Sequence, residues 1–421
     1  MIDCYAKRRR REKHIVIILE GYTPDNSANI NCIKNIVKEL LKQENIKISI
    51  VCASHTTTGL DIIDGTAVHR IKYRNYAGRL STCKSKLKKR VLVLGHFLKS
   101  ILLLPLYPNV TPSITNKVYK ELLKIQNTER IDCLISVYQP YFSVKAALKF
   151  KKKFYSTPVI GYYLDVMKGA NKPFGTTQRF FEKLCDMSQK KDFAKLDKIF
   201  LPECSKVYYD VKYFSEYHSK FKYLNFPTLL KEYFSGEKDR DSLIFVYAGT
   251  TNHAYRNPLR AINLLIKAHE YYHNIVFHLY GDSDMKDELK QLEIQSNGAF
   301  IYHGMVKKEV ADNAIQQADY CVNFGNNVCG MVPSKIFELI ATGKSIIHFT
   351  SGTDDSSLEY FRKYPKAIII DYQETDEEIL SNLIDVLQKK RTYIDYDSIE
   401  RIFYTATPKA VLNEIVKIIE K

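Results

Sequence analysis

The fold class of this chain is decided by residues 321–349, which read CVNFGNNVCGMVPSKIFELIATGKSIIHF. An apolar run ends at Phe324, and a loop rich in glycine and asparagine follows it. Pro333 indicates a helix start, because proline fits the first turn of a helix and disrupts later turns. The helical pattern ends at Gly343, and a second apolar run begins directly after it. The stretch therefore predicts strand, loop, helix, turn and strand, the unit from which parallel sheets are built.

The same alternation recurs along the whole chain. Short β-branched runs, separated by helical periodicity, predict strands at 14–19, 46–53, 67–73, 132–137, 158–163 and 198–201, and again at 243–248, 275–280, 300–302, 320–324, 345–349 and 367–370. A chain of 421 residues is also long for a single hydrophobic core. We therefore predict an α/β fold with two facing Rossmann-like domains, each a doubly wound parallel sheet. The predicted domains are 1–235 and 236–405, followed by a C-terminal helix at 406–421 that could cross back to the first domain.

Composition places the chain among ordinary globular proteins. It is 45% hydrophobic and 26% charged, and its nine cysteines are scattered without a CxxC pair, as in cytosolic proteins with reduced thiols. No apolar stretch reaches the roughly 20 residues that a membrane span requires. The start of the chain has a basic run but no signal-peptide pattern. We expect a cytoplasmic protein.

The net charge of +16 is distributed unevenly. Residues 1–240 carry a balance of +22, and the remainder carries −6. Residues 65–120 hold twelve basic residues and no acidic one, and a basic cluster at 84–90 directly precedes an apolar stretch. Region 70–106 could therefore bind an anionic membrane surface or an anionic lipid-linked substrate. A buried core helix preceded by a solvent-exposed basic segment would have the same sequence pattern. We expect no nucleic-acid partner, because no aromatic and basic motif of the known modules occurs.

Ligands of open parallel sheets bind beyond the carboxyl ends of the strands, so the loops of the second half are candidate sites. Three of these loops have small or backbone-exposing residues that let a ligand approach: Gly249 and Thr250, then Gly281, then Gly304, Met305 and Val306. Arg256 follows the first loop and can clamp a diphosphate with two parallel hydrogen bonds. The third loop could read the edge of a nucleobase. Simple turns, and a solvated arginine at a helix cap, explain the same residues without a ligand.

The fourth loop leads into a helix whose first turn holds Ser334 and Lys335. Free N–H groups of a first helical turn attract an anion, to which Ser334 adds a donor and Lys335 a point charge. Glu338 lies three residues further on the same face and could accept hydrogen bonds from both ribose hydroxyls of a nucleotide. The alternative is an ordinary helix pair between Lys335 and Glu338.

These motifs resemble the GT-B glycosyltransferases, particularly the family-four type that elongates bacterial surface polysaccharides. VPSKIFELIATGKSII (332–347) is similar to that family's donor-site helix, DYCVNFGNN (319–327) to the strand and loop before it, and FVYAGTTNHAYRNP (245–258) to its first diphosphate loop. LDKIFLPE (196–203) resembles the end of the N-terminal domain. The resemblance covers nearly the whole chain, and 333–343 is its specific part.

The resemblance implies a hexose transfer from a nucleoside diphosphate sugar, foremost a UDP-sugar, to a saccharide or polyprenyl-linked acceptor, with retention and without cofactor or metal. It implies that Glu338 binds the ribose and that Ser334, Lys335 and Arg256 bind the diphosphate. It also implies that Gly304, Met305 and Val306 bind the base. The family has a second glutamate eight residues before the first, where this chain has Gly330. Asn326, Asn327 or the backbone at Met331 would then have to recognise the sugar.

In the first half, Ser27 and Ala28 stand where the family has a pair of glycines, and small residues there still allow close approach. Asp165 resembles an aspartate of the family's central N-domain loop, and it could orient an acceptor hydroxyl or stabilise positive charge at the sugar ring. A turn or helix-cap aspartate is the alternative.

Other functions fit parts of the pattern. A sugar-nucleotide epimerase could share the two-domain shape, and a non-catalytic partner of a polysaccharide assembly complex would accommodate Gly330. A dinucleotide-dependent dehydrogenase fits less well, because no GxGxxG follows either opening strand. The DSD at 282–284 is interpreted as a turn rather than a metal site.

Overall fold

The computed structural model describes residues 11–25, 27–73, 80, 83, 85–102, 107–108, 111–169, 172, 176–234, 242–272, 274–326, 329–350, 352, 354–389 and 391–420. The chain divides into two compact units. One runs as far as Pro227 and resumes at Pro408, and the other is Thr228–Thr407. The predicted boundary at 235/236 lies outside the described residues.

The first unit has strands β1 (Lys13–Leu19), β2 (Ile46–Ser54), β3 (Gly59–Ile63), β4 (Thr66–Lys72), β5 (Cys133–Tyr138), β6 (Val159–Tyr163), β7 (Lys198–Leu201) and β8 (Phe221–Tyr223). They form one sheet in the order β3-β4-β2-β1-β5-β6-β7-β8, parallel except for the antiparallel pair of β3 with β4. Central β5 is buried along its whole length, as expected for a parallel strand covered on both faces. The sequence predicts six of these strands and misses the two at the sheet edges.

The helices of the first unit are α1 (Ala28–Leu40), α2 (Lys86–Leu102), α3 (Pro112–Thr128), α4 (Tyr141–Lys153), α5 (Gln178–Phe193) and α6 (Lys206–Tyr209). Ser27 caps α1 by accepting a hydrogen bond from the Ile30 amide. The apolar face of α1 is buried from Ile30 to Leu40. Among the described residues, no helix is both long and apolar enough to cross a membrane.

The second unit has strands β9 (Leu243–Ala248), β10 (Ile275–Tyr280), β11 (Phe300–Gly304), β12 (Tyr320–Phe324), β13 (Ser345–Thr350) and β14 (Ala367–Asp371). They form a parallel sheet in the order β11-β10-β9-β12-β13-β14. Its helices are α7 (Leu259–Tyr271), α8 (Lys286–Gln295), α9 (Lys308–Gln317), α10 (Lys335–Ala341), α11 (Leu358–Lys363), α12 (Asp376–Gln388) and α13 (Tyr396–Ile402). All six strands predicted for this half are present, so the α/β class with two doubly wound parallel sheets is confirmed.

A last helix, α14 (Pro408–Ile419), belongs to the first unit and packs on α1. Its apolar face is buried at Val411 and Ile415. Lys222, next to the edge of the first sheet, forms an ion pair with Glu414 at 3.1 Å.

Candidate functional site

The order of the second sheet places its switch point between β9 and β12. The chain moves outward from β9 to β10 and β11, then returns to the other side of β9 to form β12. Open sheets of this kind bind ligands in the crevice beyond the carboxyl ends of the strands at such a point. A cavity of about 130 Å³ lies there, lined by His253, Ala254, Tyr255, Asn257, Phe324, Gly325, Phe349 and Tyr372.

Glycines join the first three predicted loops at this edge. The Gly249 amide donates to the Tyr280 carbonyl at 2.8 Å, and the Gly281 amide donates to the Gly304 carbonyl at 2.7 Å. Gly281 has φ +139°, and a Cβ there would lie 2.0 Å from the Gly249 carbonyl oxygen. Only glycine fits this position, because both the backbone angle and the space exclude a side chain. Gly249, Gly281 and Gly304 therefore form one continuous backbone surface.

The loop after β9 is fixed by its own hydrogen bonds. The Arg256 Nη1 atom donates to the Thr250 carbonyl at 3.2 Å, and the Tyr247 hydroxyl donates to the same carbonyl at 3.1 Å. Burial raises the pKa of Tyr247, and the nearby Arg256 cation opposes that rise. The buried Thr251 hydroxyl bonds to Ser283 at 2.9 Å, which ties this loop to the one after β10. Arg256 is thus part of the loop structure as well as a half-exposed cation.

The aspartates of the DSD segment (282–284) form contacts that stabilise the loops after β9 and β10. Asp282 pairs with Lys286 at 2.7 Å, and the Asp284 carboxylate accepts from the His253 amide at 3.1 Å. Within the described parts of the chain, no group of three or more His, Cys, Asp or Glu residues could hold a metal ion.

The fourth loop, which follows β12, contacts the end of β13 and the loop after β13. The Gly325 amide donates to the Phe349 carbonyl at 2.7 Å. A Cβ at Gly325 would lie 2.3 Å from Oδ2 of Asp355. Gly330 has φ +72°, and its amide donates to the Ser356 hydroxyl at 2.7 Å. Asn326 and Met331 are half-buried in this loop, and Asn327 lies outside the described residues.

Helix α10 begins at Lys335, with Ser334 as its cap residue. The Ser334 carbonyl accepts from the Thr228 hydroxyl at 2.8 Å, and its own hydroxyl makes no capping hydrogen bond. Lys335 is half-buried, and Glu338 is only 8% exposed. In the described structure, neither side chain makes a hydrogen bond or an ion pair within 4.0 Å. The simple helix pair that the sequence allowed is therefore not formed.

Burial dominates the ionisation of this pair. It raises the pKa of Glu338, and the Lys335 and Lys308 cations oppose the rise. It lowers the pKa of Lys335, and the Glu338 carboxylate opposes that fall. Two ionisable groups are thus held at the sheet edge without a hydrogen-bond partner, and keeping either of them charged there costs free energy unless a ligand supplies the missing contacts.

Glu338 is also surrounded by three residues that were not predicted as site residues from the sequence: Lys308, Asp312 and Tyr233. The Lys308 Nζ atom lies 2.5 Å from the Asp312 carboxylate and 3.3 Å from the Tyr233 hydroxyl. Burial alone would lower the pKa of Lys308, but Glu338 and Asp312 outweigh it and raise that pKa. The i,i+4 spacing of Lys308 and Asp312 is visible in the sequence, whereas the approach of Tyr233 is not, because Tyr233 lies in a separate turn (Lys231–Tyr233).

The third loop exposes the residues assigned to the base. Met305 is 76% exposed, and Val306 is half-buried. Gly304 ends β11 with φ +65°, and open space surrounds its Cα. The Gly304 carbonyl already accepts from the Gly281 amide, so contacts with a base would fall to Met305 and Val306.

In the first unit, the structure brings Asp165 to the start of α1. Asn29 donates to the Asp165 carboxylate at 3.2 Å. Burial raises the pKa of Asp165, and the Asn29 hydrogen bond opposes the rise. Ser27 caps α1 and donates to Glu20, and Ala28 is the first helical residue. The candidate acceptor residues thus share the carboxyl edge of the first sheet.

Comparisons with known proteins identify the fold. No family model and no curated protein sequence matches the chain. Solved structures match over nearly its whole length. A sucrose-phosphate synthase from Thermosynechococcus elongatus has a TM-score of 0.59 at 11% identity, covering 97% of this chain and 98% of that one. An α,α-trehalose-phosphate synthase (UDP-forming) from Burkholderia xenovorans, in complex with glucose-6-phosphate, has a TM-score of 0.61 at 7% identity, covering 97% and 100%.

The lipopolysaccharide outer core galactosyltransferase WaaB has a TM-score of 0.53 at 11% identity, covering 96% of this chain and 99% of that one. These proteins are GT-B glycosyltransferases, and the chain has the GT-B fold. The resemblance predicted from the sequence is confirmed at the level of the fold. At such low identity the likeness carries the fold alone.

Proposed function

We propose that this protein is a glycosyltransferase that moves a hexose from a nucleoside diphosphate sugar, foremost a UDP-sugar, to the hydroxyl of a saccharide or polyprenyl-linked acceptor. The observation that carries the proposal is that half-buried Lys335 and buried Glu338 lie without hydrogen bond or ion pair at the carboxyl edge of the second sheet. A diphosphate and a ribose have the complementary groups, an anion for the lysine and vicinal hydroxyls for the glutamate.

Lys335 and Arg256 would bind the diphosphate, with the Ser334 hydroxyl as a further donor. The departing diphosphate gains negative charge as the bond to the sugar breaks, and fixed cations stabilise that charge without reorganising. The backbone surface of Gly249, Thr250 and Gly281 lets phosphate oxygens approach closely. The neighbour structures include a trehalose-6-phosphate protein from E. coli bound with UDP-2-fluoro glucose, which supports a uridine nucleotide.

Glu338 would accept hydrogen bonds from the two ribose hydroxyls. Its burial strengthens such bonds, because little water competes for the carboxylate. Lys308 keeps positive charge beside it and so favours the ionised form. Gly304, Met305 and Val306 would present backbone groups to the base.

The sugar would lie against the fourth loop, near Asn326, Asn327 and Met331. Gly330 occupies a left-handed backbone position (φ +72°) that a residue with a side chain adopts poorly. The loop geometry therefore fits backbone and amide recognition of the sugar better than a carboxylate at position 330.

On the acceptor side, Asp165 would orient the attacking hydroxyl or stabilise positive charge at the sugar ring. Burial raises the pKa of Asp165, whereas the hydrogen bond from Asn29 favours the ionised carboxylate that both roles need. Ser27 and Ala28 leave the start of α1 open to a substrate. Retention at the anomeric carbon, with the leaving phosphate as base, completes the proposed reaction.

We place this reaction in the biosynthesis of a surface polysaccharide, such as capsule or lipopolysaccharide, in the cytoplasm and peripherally at the inner face of the membrane. WaaB, a lipopolysaccharide galactosyltransferase of the same fold, supports that setting. The proposed domain roles are acceptor binding by the first unit and donor binding by the second.

The decisive experiment is isothermal calorimetry of the purified protein with UDP, GDP and ADP, followed by incubation with the sugar nucleotide of the base that binds. Glu338→Gln serves as the deficient variant, and Glu309→Gln, exposed on α9, as its matched control. We expect UDP to bind the wild type and the control alike. Absence of heat with all three nucleotides would refute the donor site.

The same incubation separates the rival functions. Release of UDP together with transfer to an added saccharide supports a transferase. Isomerisation of the donor without any acceptor would identify an epimerase. Tight binding of UDP-sugar without turnover, over a panel of saccharide and polyprenyl-phosphate acceptors, would favour a non-catalytic partner.

A further inference from the structure

Helix α2 (Lys86–Leu102) carries an exposed apolar stripe. Leu87, Val91, Leu94, Leu98 and Ile101 recur at intervals of three and four residues, so they share one face of the helix. Each is at least 49% exposed to solvent. No helix or strand of the described chain makes extensive contact with α2. A contiguous apolar face of this kind marks an interaction surface.

Cations border the stripe. The described charged side chains of α2 are all basic: Lys86, Lys88, Lys89, Arg90 and Lys99. At 100° per residue, Lys88 and Lys99 fall on one side of the stripe, and Lys86 and Arg90 on the other. The surface is therefore apolar along its middle and cationic along both borders.

The position of these cations is unfavourable for the helix itself. Four of them lie in the first five residues of α2, where the partial positive charge of the helix dipole repels them. The first turn holds no acidic residue that would compensate. Their arrangement is thus better explained by an anionic surface outside the chain than by the stability of the helix.

We propose that α2 is an interfacial anchor that lies flat on an anionic lipid bilayer. The stripe enters the boundary between headgroups and acyl chains, and the flanking lysines and arginine bind anionic headgroups. An α-helix of this length extends about 25 Å along the surface. The anchor rests on the proposed function in one respect, that a polyprenyl-linked acceptor is found at a membrane.

A second copy of the chain is the competing occupant of the stripe. Pairing α2 with α2 would cover the apolar side chains, but it would also bring two sets of exclusively positive charges together, and like charges across an interface are costly. A bilayer containing anionic lipid would cover the apolar stripe with acyl chains and neutralise the bordering cations with its headgroups. The charge of α2 therefore favours the bilayer.

The test is flotation of the full-length protein with vesicles of phosphatidylcholine alone and of phosphatidylcholine mixed with phosphatidylglycerol. The test variant is Leu94→Glu/Leu98→Glu. The matched control is Leu60→Glu/Ile62→Glu, which adds the same charge at two exposed apolar residues of β3, 59% and 70% exposed. Because both pairs are exposed, both variants should fold, and circular dichroism checks this.

We expect the wild type and the control to float with the anionic vesicles and not with phosphatidylcholine alone. The partition coefficient of the Leu94→Glu/Leu98→Glu variant into anionic vesicles should be at least about 10-fold lower than that of the wild type. Replacing Lys86, Lys88 and Arg90 with Gln should weaken binding and reduce its salt dependence. Failure of the wild type to float, or equal loss in the β3 control, would overturn the anchor.

Sedimentation velocity distinguishes the competing occupant. A dimer of the wild type that Leu94→Glu/Leu98→Glu dissociates, without any flotation, would assign the stripe to a second copy. Calorimetry of the same proteins with UDP separates the two proposals. UDP binding without flotation refutes only the anchor, and flotation without nucleotide binding refutes only the donor site.

Discussion

Gly281 lies directly against the carbonyl oxygen of Gly249, so close that a Cβ at residue 281 would be 2.0 Å from that oxygen. We predict that Gly281→Ala lowers the free energy of unfolding by about 2–4 kcal/mol, from overpacking and from strain at φ +139°. Thermal unfolding measures this. Gly298→Ala is the control, because Gly298 also has a positive φ (+90°) but open space around it. Equal melting temperatures of the two variants would show that the close approach is unimportant.

Glu338→Gln should weaken UDP binding by about 10- to 100-fold, the value of hydrogen bonds to a charged group. The same variant has a pH signature. The folded-state pKa of Glu338 is raised, so its stabilising contribution is complete below its unfolded pKa and is lost as pH rises through the folded value.

The melting temperature of the wild type should therefore fall relative to Glu338→Gln as pH rises from 4 towards 7, measured without ligand. A constant difference over that range would contradict the burial of this carboxylate in an unpaired state.

Lys335→Ala should lower kcat by about 100- to 1000-fold, the usual cost of removing one preorganised group that stabilises charge in the transition state. The fold should be preserved, because Lys335 has no hydrogen bond or ion pair within the described structure. Initial rates at saturating donor measure the effect, and Lys307→Ala, exposed before α9, is the control. Unchanged turnover of Lys335→Ala would exclude the role in leaving-group stabilisation.

Asp355→Asn should destabilise the second unit by about 2–4 kcal/mol. Asp355 and His348 are buried, their side chains lie 2.8 Å apart, and Asn323 contacts the other nitrogen of His348 at 2.9 Å. Burial would raise the pKa of Asp355, but hydrogen bonds from His348 and Ser357 outweigh it and lower that pKa. The stabilisation is present above the unfolded pKa and is lost as pH falls through the folded one.

Chemical denaturation at pH 7 and at pH 3 tests this, with exposed Asp354→Asn as the control. The two variants should differ at pH 7 and converge at the lower pH. A gap that persists undiminished in acid would show that folding does not lower the pKa of Asp355.

The strands of the second half were predictable because each is a short segment rich in apolar and β-branched or aromatic residues, as expected for strands of a covered parallel sheet. Edge strands β3 and β8 were missed for physical reasons. β3 exposes Leu60 and Ile62 and shows no buried face in its pattern, and β8 has only three residues. Hydrophobic patterning reports burial, and neither strand has enough of it to leave a signal.

The residues of the candidate site were predictable where their roles are local. Lys335 and Glu338 lie on one short helix, and Gly281 on one tight turn. The approach of Tyr233 to Lys308, and of Asp355 to Gly325, depends on contacts between segments distant in the chain. Such contacts are absent from any local pattern. The ionisation of Glu338 was unpredictable for the same reason, since Lys308 contributes to it from another helix.

The return of α14 to the first unit affects how the chain is made. Because α14 packs on α1, the second unit is an insertion in the sequence of the first, and the ribosome must synthesise all of Thr228–Thr407 before α14 emerges. During that interval α1 lacks the cover of α14 at its outer surface. Nascent chains that end before Pro408 should therefore expose the apolar side chains of α1 that α14 covers, and should bind chaperones more than the full-length chain does.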